Sequence, residues 1–452
     1  MLSNCCNSLM SARLLWTKGL LSPGRILQQQ QLRGLGRQRL RFLFATSNDA
    51  VSIVKTDNRR NNTSMSMNMN TSNTLNGVSV SEIELSLADG MTLKGQRWIY
   101  QQQQLQPKDD ESPDENKKTQ PKTTTKTETK ILALHGWLDN CRSFHYLAPR
   151  LIEKLQEHGE AELVAIDFPG HGWSSHRPLD GPTIVLSEGA YYIAEIIDAL
   201  GWGDDVNNDK VALIGHSMGG GMAITFAGAF PEQVSKVVSI DMYGPEPGKP
   251  ENAAANIRSH VTQRRSSMGP KGRPHSLYPS LERAIERRQK SAQMAPGGNQ
   301  YLSLEAATEL VTRSTFAVYK NEEYVDDNNE DDNENGNNIK GYRFRHDTRM
   351  LWPSLQYLTA EQIESIMKGV ECPVCILAAE DGYPFAQERI DRAIENLKPE
   401  IYKILPGSHH LHADPDTADA LVDAIYDFFR GSDDDDDNDD DEDEDEERKK
   451  IK

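Results

Sequence analysis

Short apolar segments that alternate with helical segments constrain the fold of this chain more than any other feature. Six of them read KILALHG, ELVAIDFPG, KVALIGHS, KVVSIDMYG, PVCILAAED and EIYKILPG. Short apolar strands that alternate with helices form parallel sheets buried on both faces. A further segment, SEIELSLADGMTLKGQRWIY, alternates with period two on both sides of Asp89-Gly90 and predicts a hairpin. We therefore expect an α/β protein with an eight-stranded, mostly parallel sheet and flanking helices.

The alternation stops between Tyr243 and Cys372, where amphipathic helical segments replace the apolar strands. Two of these segments read YPSLERAIERRQKSA and SLEAATELVTRSTFAV. The pattern predicts a helical cap of residues 246–371, inserted after strand six, between core segments 80–245 and 372–430. Such a cap would lie at the carboxyl ends of the strands, where open α/β sheets bind ligands.

The first 48 residues have the composition of a targeting segment. Residues 1–48 contain seven Lys or Arg and no Asp or Glu, with apolar residues interleaved. This composition is typical of a mitochondrial presequence. It predicts a mitochondrial location, with the cytoplasm as the alternative.

Four other segments have polar, low-complexity compositions that do not support a packed core. They are predicted to be disordered and comprise a linker at 49–79, insertions at 101–129 and 326–338, and an acidic tail at 431–452. Residues 433–447 alone contain fourteen acidic side chains, so most of the formal net charge of −19 belongs to the tail. A run of like charges stays solvated, and this tail could bind a basic partner.

The charge distribution, the lengths of the apolar runs and the cysteine count also exclude several classes of protein. No basic stripe occurs outside residues 1–48, so we expect no nucleic-acid partner. No apolar run reaches the roughly 18 residues of a membrane span. Five cysteines, two of them within residues 1–48, do not suggest a disulfide framework. Cys372 and Cys375 have C-x-x-C spacing without a second pair, and we expect neither a metal nor a cofactor.

One serine is surrounded by glycines in the segment VALIGHSMGGGM. Gly215 and Gly219 flank Ser217 in the pattern G-x-S-x-G, and Gly220 and Gly221 follow. A strand that turns sharply into a helix strains the residue at the tip and leaves no room for side chains on either side. The pattern predicts a nucleophilic serine at a helix N-terminus, where backbone N–H groups favour developing negative charge.

A nucleophilic serine needs a base and an acid that orients the base. The last predicted strand runs into LPGSHHLHADP, in which His409 is the preferred base and His410 the alternative. The preferred acid is Asp381 in ILAAEDG. Asp241 in VVSIDMYGP is the alternative, because it also ends a strand of the predicted sheet.

A tetrahedral intermediate also needs backbone donors for its oxyanion. The N–H of Met218, directly after the serine, is one candidate. The N–H of Trp137 in LHGWLDN is the other. His135, Asp167 and His171 are interpreted as residues that organise the neighbouring loops.

The segments LHGW, DFPGHGWSS, GHSMGGG, AAEDG and PGSHHLHADP, in this order, resemble the α/β-hydrolase fold of serine hydrolases. More narrowly, IDMYGP, YRFRHDTRM and GSHHLH resemble its serine-hydrolase-like, or kraken-type, branch. The resemblance covers roughly residues 80–430. It implies a triad of Ser217, His409 and an acid at Asp381, and it implies that the inserted segment is a cap.

These residues favour a cofactor-free serine hydrolase that acts on a small-molecule ester or thioester through an acyl-serine. Two alternatives remain open, because a fold does not fix a function. One is a lyase or haloperoxidase-like enzyme built on the same fold. The other is a non-catalytic binding protein whose acidic tail is the interaction element.

Overall fold

The computed structural model describes residues 74–75, 77–101, 129–178, 186–203, 210–267, 276–297, 299–320, 338–354 and 357–431. The predicted presequence lies outside the described residues, as does the insertion at 326–338 except for Asn338. So do most of the linker, nearly all of the insertion at 101–129 and nearly all of the acidic tail.

Nine strands of the described residues form one sheet, and two more form a separate hairpin. The strands are β1 (Thr74–Leu75), β2 (Val78–Ser86), β3 (Thr92–Tyr100), β4 (Thr129–Leu134), β5 (Ala161–Ile166), β6 (Val211–His216), β7 (Val234–Ile240), β8 (Thr315–Tyr319), β9 (Ile339–Phe344), β10 (Val374–Asp381) and β11 (Ile401–Ser408). The sheet order is β1, β2, β3, β5, β4, β6, β7, β10, β11. From β5 to β11 every neighbouring pair is parallel, whereas β1, β2, β3 and β5 pair antiparallel. The predicted eight-stranded sheet is thus confirmed, with the two-residue β1 added at one edge.

Helices cover both faces of this sheet. They are α1 (Leu147–Leu155), α2 (Leu186–Leu200), α3 (Met218–Ala229), α4 (Ala253–Ser267), α5 (Leu281–Gln293), α6 (Leu304–Ser314), α7 (Ala360–Lys368), α8 (Gln387–Leu397) and α9 (Ala418–Arg430). Alternate strand residues point to opposite faces. In β4, Leu132 and Leu134 pack with α2, α3, α7 and α8, whereas Ile131 and Ala133 pack with α1 and α9. The continuous apolar strands of the sequence are therefore buried on both faces.

The inserted segment differs from the predicted helical cap in two ways. It contains α4, α5 and α6, but the chain then forms the antiparallel hairpin of β8 and β9. Helix α7 lies in the segment assigned to the cap, yet Ile363 and Met367 pack in the core cluster that includes Val374 of β10. The core therefore resumes at α7 and not at Cys372, because the apolar face of this amphipathic helix is buried by the sheet layer.

Two buried arginines attach the cap side of the chain to the core. Arg313 of α6 has a fully buried side chain, and its Nε donates to Asp167 Oδ2 over 2.7 Å while its Nη1 donates to Glu82 over 2.9 Å. Arg349 pairs with Asp347 and donates to the Pro178 carbonyl over 2.7 Å.

None of the helices in the described ranges is long and apolar enough to cross a membrane.

Candidate active site

Ser217 lies at the sharp turn between β6 and α3. Its backbone angles are φ 51° and ψ −115°, a left-handed conformation that is rare for a residue with a side chain. A Cβ at Gly215 would lie 2.4 Å from the Gly219 carbonyl oxygen, and one at Gly219 would lie 2.0 Å from the Leu134 carbonyl oxygen. Neither distance is compatible with a side chain. The two glycines of the G-x-S-x-G pattern thus allow the turn that raises the serine above the sheet.

The next two glycines differ from each other. A Cβ at Gly220 would lie 2.8 Å from Ser239 Oγ and 3.0 Å from the Gly215 carbonyl oxygen. At Gly221 the nearest atom, Pro245 Cα, would be 3.6 Å away, which is ordinary contact. A side chain is therefore crowded at position 220 and has room at position 221.

His409 follows directly after β11 and faces the serine. Its Nε2 lies 3.0 Å from Ser217 Oγ, and its Nδ1 lies 2.5 Å from Asp241 Oδ2. A carboxylate can only accept a hydrogen bond, so Nδ1 carries the proton and Nε2 is free to accept the serine proton. The structure therefore brings Ser217, His409 and Asp241 into one continuous chain of hydrogen bonds.

Asp241 is fixed in its place by backbone donors. It is buried at the end of β7 with φ 45°, and its Oδ1 accepts the Ala379 N–H over 3.1 Å. Its Oδ2, which faces His409, also accepts the Tyr383 N–H over 3.0 Å. Gly382 packs so closely on this carboxylate that a Cβ there would lie 2.4 Å from Oδ1.

The structure contradicts the preference for Asp381 as the acid. The Asp381 carboxylate is partly exposed and accepts a hydrogen bond from Asn299 Nδ2 over 3.2 Å. It makes no hydrogen bond to His409, whose Nδ1 is engaged by the alternative acid, Asp241. The reason is strand register. Leu377 of β10 lies opposite Ile240 of β7, so Asp381 lies further along β10 than the level of Asp241, where β10 pairs with Ser408 of β11.

His410, the alternative base, faces away from the serine. Its Nε2 lies 3.5 Å from Asp139 Oδ2 and accepts from Arg288 Nη2 over 3.0 Å. Arg288, on helix α5 of the cap, also donates to Asp139 Oδ1 over 2.6 Å. Burial opposes a charge on Asp139, but His410 and Arg288 hold the pKa of its carboxyl well below the usual range. His410 thus lies against the ion pair of Arg288 and Asp139.

His216, directly before the serine, holds the backbone of His409. Its Nε2 donates to the His409 carbonyl over 2.8 Å, and its ring stacks on that of His412 with centroids 3.9 Å apart. Burial first, and the neighbouring histidines second, lower the pKa values of His216 and His412 well below 6.5. Both rings are therefore neutral at physiological pH.

The sequence interpretation assigned no role to Asp139, His216 or Arg288. His216 lies within the elbow segment and Asp139 within LHGWLDN, so their positions beside Ser217 and in the loop after β4 were a usable signal. Arg288 gave no such signal, because one arginine on an amphipathic cap helix resembles any other surface arginine until the cap is placed.

The two candidate oxyanion donors lie at the ends of neighbouring strands. Met218 begins α3, and Trp137 follows β4, which pairs with β6 through Leu134 and Gly215. Within the described ranges, neither N–H donates to a protein acceptor. Gly136 allows the approach of the two segments, since a Cβ there would lie 2.8 Å from His216 Nδ1.

The residues interpreted as loop organisers all make structural hydrogen bonds. The His135 ring donates from Nδ1 to the Gly136 carbonyl and accepts the Phe168 N–H at Nε2 over 3.0 Å. His171 accepts the Leu138 N–H over 3.2 Å, and Asp167 accepts the N–H groups of Cys141 and Trp173, each over 2.8 Å. Burial lowers the pKa values of both histidines. None of the three contacts Ser217.

Metal ligation has no candidate in the part of the chain that the structure describes, because no group of three or more His, Cys, Asp or Glu side chains there could hold an ion. Cys372 and Cys375 are not bonded to each other. Cys375 is buried in β10, and burial raises the pKa of its thiol to about 12. This pair therefore lacks the reactive thiolate of a redox motif.

Comparison with known proteins agrees with this geometry. Residues 130–267 match the sequence profile of the α/β-hydrolase fold. A "Probable serine hydrolase" of Drosophila melanogaster is 29% identical over 287 residues, which are 62% of this chain and 76% of that protein. A "Serine hydrolase-like protein" of Homo sapiens is 32% identical over 172 residues, which are 37% of this chain and 76% of that protein.

A solved structure shows the same architecture. The crystal structure of a hypothetical protein from Pseudomonas aeruginosa PAO1 superimposes with a TM-score of 0.56 at 28% identity, covering 77% of this chain and 99% of that one. The sheet order, the nucleophile elbow and these relatives lead to one classification. The chain belongs to the serine hydrolase-like branch of the α/β-hydrolase family.

Proposed function

We propose that this protein is a serine hydrolase that cleaves carboxylic esters or thioesters of small molecules through an acyl-serine intermediate. One observation carries the proposal: the hydrogen-bond chain from Ser217 Oγ through the His409 ring to Asp241, with distances of 3.0 and 2.5 Å. Two relatives, named "Probable serine hydrolase" and "Serine hydrolase-like protein", support the same reaction class.

In the proposed reaction, His409 Nε2 takes the Ser217 proton while Oγ attacks the carbonyl carbon of the substrate. Proton transfer by a positioned base contributes about 10² to 10⁴ in rate. The C–O or C–S bond of the tetrahedral intermediate then breaks, and the leaving group takes the proton from Nε2. Water, deprotonated by the same nitrogen, releases the acid and regenerates the serine.

Three fixed groups assist these steps. Asp241 keeps the proton on His409 Nδ1 and stabilises the imidazolium that forms. The N–H groups of Met218 and Trp137 are positioned to donate to the oxyanion, and each such donor contributes about 10² to 10³ in rate. The residues that perform these steps are all part of the chain, and no step requires a cofactor.

Reaction of the full chain with a fluorophosphonate probe tests the proposal, because only an activated serine reacts rapidly with it. Wild-type protein should be labelled and Ser217→Ala should not. Esters and thioesters of graded acyl length then define the substrate class. Labelling without turnover of any of these substrates would favour a lyase or haloperoxidase-like activity. A folded wild type that resists the probe would favour a non-catalytic binding protein.

A further inference from the structure

The cap and the catalytic loops meet at one buried amide. Gln300 lies in the segment between α5 and α6, and only 4% of its surface is exposed. Its neighbours in the cap pack around Leu302, and Ala413, from the loop after His409, belongs to the same apolar cluster. The loop that carries the base is therefore packed against the cap at this point.

The side chain of Gln300 joins the two loops that carry the base and enclose the acid. Its Oε1 accepts the backbone N–H of His409 over 3.0 Å. Its Nε2 donates to the carbonyl oxygen of Gly382 over 2.9 Å and also to that of Asp381. Only an amide offers an acceptor and a donor on one planar group of this length, so the contact is specific to Gln or a close analogue.

The second loop is the one that fixes the acid. Tyr383 donates its N–H to Asp241 Oδ2, and Gly382 packs against the same carboxylate. A displacement of this loop would move Asp241, and a displacement of the first loop would move His409. One side chain of the cap thus sets the spacing between the base and the acid.

Other contacts hold the same segments from different sides. Ser408 Oγ donates to the Tyr301 carbonyl over 2.7 Å, next to Gln300 along the cap. From the core, His216 Nε2 donates to the His409 carbonyl over 2.8 Å. Both peptide groups of His409 are therefore restrained, the N–H by the cap and the carbonyl by the nucleophile elbow.

We propose that Gln300 is a positioning residue through which the cap aligns His409 between Ser217 and Asp241. This inference rests on the proposed hydrolase function. It implies that the core alone holds an incompletely aligned base, and that any movement of the cap at Gln300 lowers the reactivity of Ser217 without touching the serine itself.

The test is the kinetics of fluorophosphonate labelling in Gln300→Met, which keeps the size of the side chain and removes its hydrogen bonds. We expect the maximal labelling rate at saturating probe to fall by about tenfold to a hundredfold, the range for a small misplacement of a reacting group. The probe concentration for half-maximal rate should change little. The matched control is Gln289→Met, because Gln289 donates only within the cap, to the Leu302 carbonyl over 3.0 Å.

A second variant keeps the test decisive if Gln300→Met fails to fold. Gln300→Glu retains an acceptor for the His409 N–H, but while it is ionised it cannot donate to the two carbonyl oxygens and is repelled by them, so we expect a comparable fall in the maximal rate. Unchanged maximal rates in both folded variants, or an equal loss in Gln289→Met, would overturn the inference. Absence of labelling in the wild type would instead reject the hydrolase function, so the two failures are distinguishable.

Discussion

His409 Nδ1 and Asp241 Oδ2 lie 2.5 Å apart, although 168 residues separate them in the chain. The contact forms because β7 and β11 both lie next to β10, and their carboxyl ends reach the same edge of the sheet. Two backbone donors fix the carboxylate, and the ring in turn faces Ser217. The position of the acid thus depends on register between strands that are far apart in sequence.

The elbow glycines provide a paired prediction. In Gly219→Ala, the new methyl group would lie 2.0 Å from the Leu134 carbonyl oxygen, so the turn must move. We expect a loss of about 1–3 kcal/mol in the free energy of unfolding, the usual cost of overpacking. Probe labelling should fall by about a hundredfold, because displaced reacting groups lose rates of this order.

Gly221→Ala is the matched control in the same helix. Its methyl group would have ordinary contacts, and Ala is favoured over Gly within a helix by about 0.5–1 kcal/mol. Chemical denaturation and labelling rates measure both effects. Equal damage from the two substitutions would contradict the steric explanation of the elbow.

The second prediction concerns attachment of the cap. Arg313→Met leaves Asp167 and Glu82 without their buried partner, and breaking a buried pair in this way costs about 3–5 kcal/mol. Arg142 and Glu309 also join core and cap, but they are 28% and 21% exposed. Arg142→Met should therefore cost only about 0–1 kcal/mol. Urea denaturation of both variants measures the difference, and similar losses would show that Arg313 does not anchor the cap.

The sequence predicted the sheet, the elbow and the position of His409 near Ser217 because each depends on local pattern. Gly215, Ser217 and Gly219 identify the elbow by spacing alone, and the histidine segment follows the last apolar strand. Asp241 and Asp381 could not be separated in this way. Both end strands of the same sheet, and only the contact of His409 Nδ1 with Asp241 Oδ2 shows which carboxylate faces the imidazole.

The contacts that Arg288 and Gln300 of the cap make with the core could not be predicted from the sequence, for a related reason. Arg288 and Gln300 act at sites more than a hundred residues away in the chain, on Asp139 and His409 respectively. Helical periodicity predicts which face of α5 is buried, but it does not identify what covers that face. The β8 and β9 hairpin was missed because TFAV, which begins β8, was included in the helical segment SLEAATELVTRSTFAV, although the helix ends at Ser314.

The third prediction is a loss of stability in mild acid. Burial lowers the pKa values of His135, His145, His171, His216, His410 and His412. In the unfolded chain each titrates near its ordinary pKa of about 6.5. Below that pH the unfolded state binds more protons than the folded state, so the free energy of unfolding falls as the pH falls from about 6.5 towards the folded pKa values. Melting temperatures measured from about pH 7.5 to about pH 5.5 should therefore decrease.

One variant tests whether the buried histidines cause this dependence of the free energy of unfolding on pH. His412 has no hydrogen-bond partner for either ring nitrogen among the described residues, so His412→Leu removes a titrating group at little cost in hydrogen bonds. The slope of the free energy of unfolding against pH should become shallower by up to about 1.4 kcal/mol per pH unit. A slope unaffected by His412→Leu would contradict the assignment.

The comparison of Asp241→Asn with Asp381→Asn tests the central claim most directly. The measurement is the second-order rate constant for fluorophosphonate labelling of the full chain, with melting temperatures recorded for both variants. An amide at position 241 no longer holds the correct His409 tautomer, and we expect a loss of about 10⁴-fold. Asp381→Asn, whose carboxylate faces Asn299, should react at the wild-type rate. Loss of labelling in Asp381→Asn with retention in Asp241→Asn would contradict the account.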